Sequence, residues 1–380
     1  NIQSAEVYFP YKFFNGPDGK YMPALMKEEA IYEGGYAVIY RGRRAVFKPL
    51  EDGENGNFVL QKVDVFKEIC IKVLHLNILP EEDTTTPRTR LDTYKDEVNA
   101  IQYEAFIHAL ICKTFETAGY PRAVPHLYEI TARTKSGNET HIPTEIDSIW
   151  LSMELIHGTT LEKYLRKTLV AKNVEQNERI LIDVILQVAF YLNILQEKVR
   201  FNHRDLKINN VFVRNHSSRW EQTLPVPDVG DYACKSDIVL IDFGFACIAC
   251  GPGFENPRAS LLAAGSWFRP EHDCLKYGRD LGQFLYSIHC TFPFHEYVSP
   301  DFYAILYKAL QAKKGLATFN MLNGFDITGV PLLPRTIPVR VKFNNGIYLF
   351  LRDSTVDVPG CRPSTFLQSI AGYVNAMPKV

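Results

Sequence analysis

The sequence predicts an α+β protein in two lobes: a small antiparallel sheet with a long helix, followed by a larger, mainly helical lobe. Three observations carry that expectation. At 380 residues the chain exceeds what one hydrophobic core usually serves. From Lys27 to Lys48 polar and apolar residues alternate, the period of strands. After Gly158 the spacing becomes helical, which sets the lobe boundary near 154–158, with residues 1–26 as an N-terminal extension, 27–156 as the first lobe and 157–380 as the second.

Taken in order, "KEEAIYEGGYAVIYRGRRAVFK" reads as three short antiparallel strands, turning at Gly34-Gly35 and again at Gly42. "FVLQKVDVFKEICIKVL" reads as a helix and "EEDTTTPRTR" as an exposed loop, so that about 49–95 is an insertion. A long helix is expected from about Lys95 to Phe115, then strands near "HLYEI" and "SIWLSMELI". In the second lobe an apolar helix fills about 180–198. It is followed by a polar, turn-rich insertion at 214–236 and the strand "IVLI". Asn345-Gly346, flanked by alternating residues, marks a hairpin within a further insertion at about 320–355.

Composition narrows the function classes. Lys plus Arg number 42 against 43 Asp plus Glu, a net charge of -1, so no global field gathers nucleic acid or an anionic membrane, and neither is expected as a partner. "ILIDVILQVAFYLNIL" is interrupted by Asp183, Gln187 and Asn193 and reads as a buried helix rather than a membrane span. The eight cysteines are scattered, and the start shows no secretory pattern. Reduced thiols and an intracellular location, cytoplasmic or nuclear, are therefore expected. Cys247 and Cys250 have metal-ligand spacing, but a lone pair of this kind predicts no zinc.

The chemistry is concentrated in "FNHRDLKINNVFV", residues 201–213, where Asp205, Lys207 and Asn210 fall between an apolar helix and an apolar strand. Downstream, "LIDFGFA" supplies Asp242, Phe243 and Gly244. This ordered set resembles the eukaryotic protein kinases, whose His-Arg-Asp-Leu-Lys-x-x-Asn loop is complete here as His203 to Asn210 and is followed by Asp-Phe-Gly. "AVFK" is similar to the strand carrying the kinase lysine, here Lys48. "GSWFRPE" resembles the end of an activation segment, "YGRDLGQFLYSI" the buried helix after it with Asp280 at the acidic position, and "CRPSTFLQSI" a late helix start. The resemblance spans roughly 27–375 and is to the divergent, compact kind of kinase that large DNA viruses also encode, which would add a virion-associated location.

The resemblance implies a two-lobe kinase fold with ATP between the lobes, and Mg2+ or Mn2+ as the metal. Asp205 would align the acceptor hydroxyl and Lys207 would offset charge on the γ-phosphate. Asn210 and Asp242 would supply hard oxygen ligands to the metal. Lys48 would grip the α and β phosphates, held by a helix carboxylate for which Glu104 is the choice and Glu97 and Glu116 are alternatives. Met153 would stand beside the adenine pocket, with the main chain of Glu154 and Ile156 pairing with the adenine edge. Gly34, Gly35, Ala37 and Ile39 belong to the loop over the nucleotide, where Tyr32 and Ala37 replace two of the family's three glycines. Arg204 would pair with a phosphorylated Ser260, and Glu271 with Arg362 as a buried structural pair.

Lys207 and Ser266 favour serine/threonine over tyrosine specificity, so the substrate class implied is protein hydroxyls, with the inserted loops or hairpin as docking elements. Two other readings stand beside this one. A pseudokinase scaffold would explain the altered glycine loop, and a small-molecule phosphotransferase would share Asp205 and Asn210.

Overall fold

The computed structural model describes residues 7–8, 13–15, 21–23, 25–33, 37–47, 65–75, 90–136, 138, 140, 146–215, 220–249, 261–264, 276, 278–292, 296–310 and 358–378. The protein is mixed α+β and divides into two compact units. One comprises Asn1–Val98 with His126–Ile156, the other Asn99–Pro125 with His157–Val380.

The first unit is organised by an antiparallel sheet. Its long strands are β4 (Leu25–Glu33), β5 (Ala37–Phe47), β6 (Val65–His75), β7 (Leu127–Arg133) and β8 (Ser148–Glu154). They are ordered β4-β5-β6-β8-β7, and the short β1 (Val7–Tyr8) also pairs with β5. A separate small ribbon joins β2 (Phe13–Asn15) and β3 (Tyr21–Pro23). Central β6 buries Ile69, Ile71 and Val73 on one face, against Leu25, Tyr40, Tyr128 and Trp150. Apolar burial on alternate residues is what holds a central strand in register.

Two sequence expectations fail here. Residues 65–75 form a strand, not a helix, and lie inside the sheet rather than in an insertion. Gly42 is not a turn; it sits within β5, paired with Lys27 and Ile69. The reason is close approach, since a Cβ at Gly42 would lie 2.6 Å from Ile71 Cδ1 and 2.6 Å from the carbonyl oxygen of Met26. Only glycine lets β4 and the Ile71 side chain close on that point.

Helix α1 (Arg90–Ala118) is longer than expected, and its residues from Asn99 onward belong to the second unit. That unit is built round α3 (Val174–Val199), which buries Leu181 through Leu192 without interruption. By length and composition α3 could cross a membrane, but 72% of its apolar window is buried inside the protein, as befits a core helix. Around it stand α2 (Leu161–Thr168), α4 (Arg279–Thr291), α5 (Pro300–Ala309) and α6 (Pro363–Ala376). Strands β9 (Gly158–Thr160), β10 (Val211–Arg214) and β13 (Asp237–Leu240) form a small antiparallel sheet in the order β13-β10-β9.

The polar stretch 214–236 contains a hairpin, β11 (Thr223–Val226) with β12 (Gly230–Ala233), instead of being loop throughout. Its turn uses left-handed backbone at Asp228 (φ 61°) and Gly230 (φ 86°), residues that tolerate it. It rests on α3 through Gln222, which donates to the Tyr191 hydroxyl at 2.6 Å. Buried Asp183 accepts from the amides of Lys235 (2.9 Å) and Ser236 (2.8 Å) just beyond it. Burial raises the Asp183 pKa, and those amide donors oppose the rise. The Asn345-Gly346 hairpin lies outside the described residues.

Cys70, Cys112, Cys234 and Cys361 are free thiols, whereas Cys247 is disulfide-bonded. The expectation of reduced thiols throughout therefore fails at Cys247.

Gly42→Val should destabilise the protein by about 2 kcal/mol or more, because the clash meets main chain. Gly372→Ala, where a Cβ meets nothing within 4 Å, should be neutral or stabilising by about 0.5–1 kcal/mol. Urea unfolding of both variants checks this, and an unperturbed Gly42→Val midpoint would contradict the packing described.

Candidate functional site

In the second unit, the segment between α3 and β10 is fixed by one buried carboxylate. Asp280, on the first turn of α4 and fully buried, accepts from the main-chain amides of His203 (2.8 Å) and Arg204 (2.9 Å) and from Asn202 Nδ2 (3.2 Å). Arg204 sits in the left-handed region at φ 68° while being 1% exposed. A bulky residue holds that backbone only where its surroundings over-determine it, and the two amide bonds to Asp280 do so.

The loop then turns through a 3-10 segment, Ile208–Asn210, anchored by the Ile208 amide donating to Ser287 Oγ at 3.1 Å. Within it Asp205 is gripped from two sides. Lys207 Nζ donates to its Oδ2 (2.8 Å) and Oδ1 (3.1 Å), and Asn210 Nδ2 donates to its Oδ2 (3.1 Å) and main-chain oxygen (2.8 Å). With its NH2 turned to Asp205, Asn210 presents Oδ1 on the opposite side of the amide.

Antiparallel pairing of β10 with β13 brings Asn210, just before β10, beside the segment that follows β13. The Ile241 amide donates to Asn210 O at 3.0 Å, and His203 Nε2 donates to Ile241 O at 3.0 Å. Asp242 comes next. Its backbone is also left-handed, at φ 66°, and its side chain is exposed. Phe243, 2% exposed, turns inward against His108 (5.1 Å between centroids), His203 (5.4 Å) and Phe201 (6.2 Å). Buried aromatic contact on one residue thus presents its neighbour to solvent.

Of the three helix carboxylates considered, the structure brings Glu104 to this place. Glu104 is 7% exposed, and a Cβ built on Gly244 would lie 3.2 Å from Glu104 Oε2 and 3.4 Å from Asp242 Oδ1. Glu116 is exposed and pairs with Lys113 at 3.4 Å, and the side chain of Glu97 lies outside the described residues. His108, one helical turn beyond Glu104, donates from Nε2 to Pro125 O at 2.9 Å and locks that face of α1. It was not singled out from the sequence, although its i,i+4 spacing from Glu104 was visible.

In the first unit, register defines a second group of residues. Lys72 on β6 stands opposite Ile39 on β5 and Leu151 on β8, while Cys70 stands opposite Met153. Directly paired residues share a face. Ala37, Ile39, Cys70, Lys72 and Met153 therefore occupy one face of the sheet, opposite the face that carries Ile69, Ile71 and Val73. Burial raises the Cys70 thiol pKa to about 11, with Lys72 opposing the rise. Lys72 escaped the sequence reading because "EICIKVL" was read as helical.

Other expected residues are scattered. The amide of Glu154 donates to His126 O at 2.8 Å. Ile156 is half-buried at the end of the first unit. Arg362 is exposed, and Glu271, the partner expected for it, lies outside the described residues. So do Gly34, Gly35, Lys48 and Ser260.

No protein-family model matches the chain. No curated protein matches it either.

Asp280→Ala would orphan two buried main-chain donors at about 1–3 kcal/mol each, while Asn202 Nδ2 would keep Lys276 O at 3.1 Å. Hydrogen exchange should show loss of protection at the His203 and Arg204 amides beyond any global change. Unaltered exchange there would contradict the anchoring role.

Proposed function

We propose that the protein is an ATP-dependent serine/threonine protein kinase of the two-lobe kind. The observation that carries this reading is the convergence, in one unit, of Asp205, Lys207, Asn210, Asp242 and Glu104 around the 3-10 turn and the segment after β13. Phosphoryl transfer asks little covalent chemistry of a protein; it asks for positioning and for charge neutralisation. Acidic and amide oxygens set beside a lysine-bridged carboxylate meet that requirement.

In this reading Asp205 accepts the hydrogen bond of the substrate hydroxyl and aims it in line, its carboxylate held still by Lys207 and Asn210. Lys207, 28% exposed at its side chain, can swing from Asp205 to a phosphate oxygen as charge builds there. Exposed Asp242 and the Oδ1 of Asn210 would hold Mg2+, which would supply positive charge to neutralise phosphate oxygens. Both donors are hard oxygens, the ligand class magnesium takes, so the residues fit the ion.

For the lysine that grips the phosphates, we assign Lys72 rather than Lys48. Lys72 shares a sheet face with Ala37, Ile39 and Met153, the residues expected to line the nucleotide. Cys70 then lies against the adenine end of that face, opposite Met153.

The test is transfer of labelled phosphate from Mg-ATP to a mixed protein substrate. Wild type should label serine and threonine. Asp205→Asn, Asp242→Asn and Lys72→Met should each lower the rate by about 100-fold or more, and Lys48→Met should have a small effect. Label that survives Asp205→Asn would contradict the reading. Loss in Lys48→Met with Lys72→Met active would contradict the lysine assignment.

A further inference from the structure

The β10–β13 ribbon has the Asp205 loop at one end and Asp237, opposite Arg214, at the other. At that far end Arg122 pairs with Asp237 and lines a cleft of about 420 Å³. One wall runs from Ala118 to Arg122, where the chain leaves α1; the other is Trp220 to Thr223, which leads into β11. Both walls belong to the second unit. Ligand sites commonly span about 300–1,000 Å³, so this volume suits a small molecule.

Two opposite charges line the cleft without meeting. Arg122 Nε and Nη2 both donate to Asp237 Oδ2, which fixes the guanidinium and leaves Nη1 with no partner among the described residues. Buried Asp237 also pairs with Arg214 at 3.4 Å, so a single carboxylate faces two guanidinium groups and cannot neutralise both. Across the cleft Glu221 is exposed and forms no ion pair among the described residues. Its charge is reinforced by the carbonyl end of α1, which closes at Ala118 in the first wall and carries partial negative charge. Arg122 and Arg214 together balance Asp237 and Glu221, so the cleft is neutral in sum but has two separated poles.

The remaining groups give those poles a setting. The Tyr120 ring is fixed edge-on against Phe190, 5.1 Å between centroids, and its hydroxyl makes no hydrogen bond among the described residues. Burial raises the Tyr120 pKa, so that hydroxyl remains a proton donor. Half-buried Trp220 adds an apolar wall. A Cβ on Gly119 would meet nothing within 4 Å, so the space beside the turn is open.

We propose that this cleft binds a free α-amino acid with an aromatic or aliphatic side chain. Arg122 Nη1 and the Tyr120 hydroxyl take its carboxylate, Glu221 and the end of α1 take its ammonium, and Trp220 packs on its side chain. A ligand with one charge would leave the opposite pole unmatched, whereas a zwitterion meets both. The site is independent of the kinase reading, because none of these residues belongs to the Asp205 loop.

Ligand-observed NMR titration of the full chain tests the proposal. The ligands are L-phenylalanine, L-leucine, N-acetyl-L-phenylalanine, which lacks the ammonium, and L-phenylalanine amide, which lacks the carboxylate. The two amino acids should bind with Kd of about 1 mM or tighter. Each blocked form should bind about tenfold more weakly. Glu221→Gln should weaken L-phenylalanine by about tenfold and leave N-acetyl-L-phenylalanine unchanged, a contrast that partial unfolding would not produce. Arg122→Lys, which keeps a cation for buried Asp237, should weaken L-phenylalanine and spare the amide. The proposal is overturned if neither amino acid binds more tightly than about 10 mM, if the blocked forms bind as well as the parent, or if Glu221→Gln affects both ligands equally.

Discussion

The Asp280 carboxylate is the constraint on which the rest of the site depends. It has no access to solvent, and among the described residues it is held by the N–H groups it accepts from, two of them main-chain amides of adjacent residues. That grip holds Arg204 in left-handed backbone and sets the direction in which the chain leaves for Asp205. From there each step follows from the last. The 3-10 turn is pinned to Ser287 on the same helix as Asp280, Asn210 ties back to Asp205, and the β10–β13 pairing carries Asp242 to the same end of the ribbon. A long-range ion pair secures the outer end of that ribbon, where Asp237 is paired with both Arg122 and Arg214.

Two kinds of packing therefore cooperate. Apolar burial along α3 provides the bulk of the second unit, while a few buried polar groups decide the path of the loop that carries Asp205. Polar networks of this kind specify one arrangement because leaving any member unsatisfied is costly. The inward Phe243 does the same in apolar terms, and exposes Asp242 by burying itself among His108, Phe201 and His203.

How much of this the sequence disclosed depended on whether the signal was local. The loop residues and the apolar helix before them were legible because spacing alone brings Asp205, Lys207 and Asn210 together. Glu104 was selected from its helical stripe, and the structure sets it by Asp242. β6 was misread because a strand in mid-sheet, with the adjacent apolar pairs Cys70-Ile71 and Val73-Leu74, lacks the clean alternation of a half-exposed one. That error concealed Lys72. Gly42 was misread for a related reason: glycine marks turns and also close approaches, and only the partner strand distinguishes them. The exposure of Arg362 and the pairing of Asp237 with two arginines depend on segments far apart in sequence, which no local pattern records.

The central proposal is that Asn210 and Asp242 hold Mg2+ beside Asp205 and that Lys72 grips the phosphates of ATP. An experimental structure with Mg2+ and a non-hydrolysable ATP analogue tests it most directly. The account predicts metal bonded to Asn210 Oδ1 and an Asp242 carboxylate oxygen at about 2.1 Å, with Lys72 Nζ within hydrogen-bonding distance of an α- or β-phosphate oxygen. Nucleotide bound with Lys72 turned away, or metal held by other residues, would contradict it.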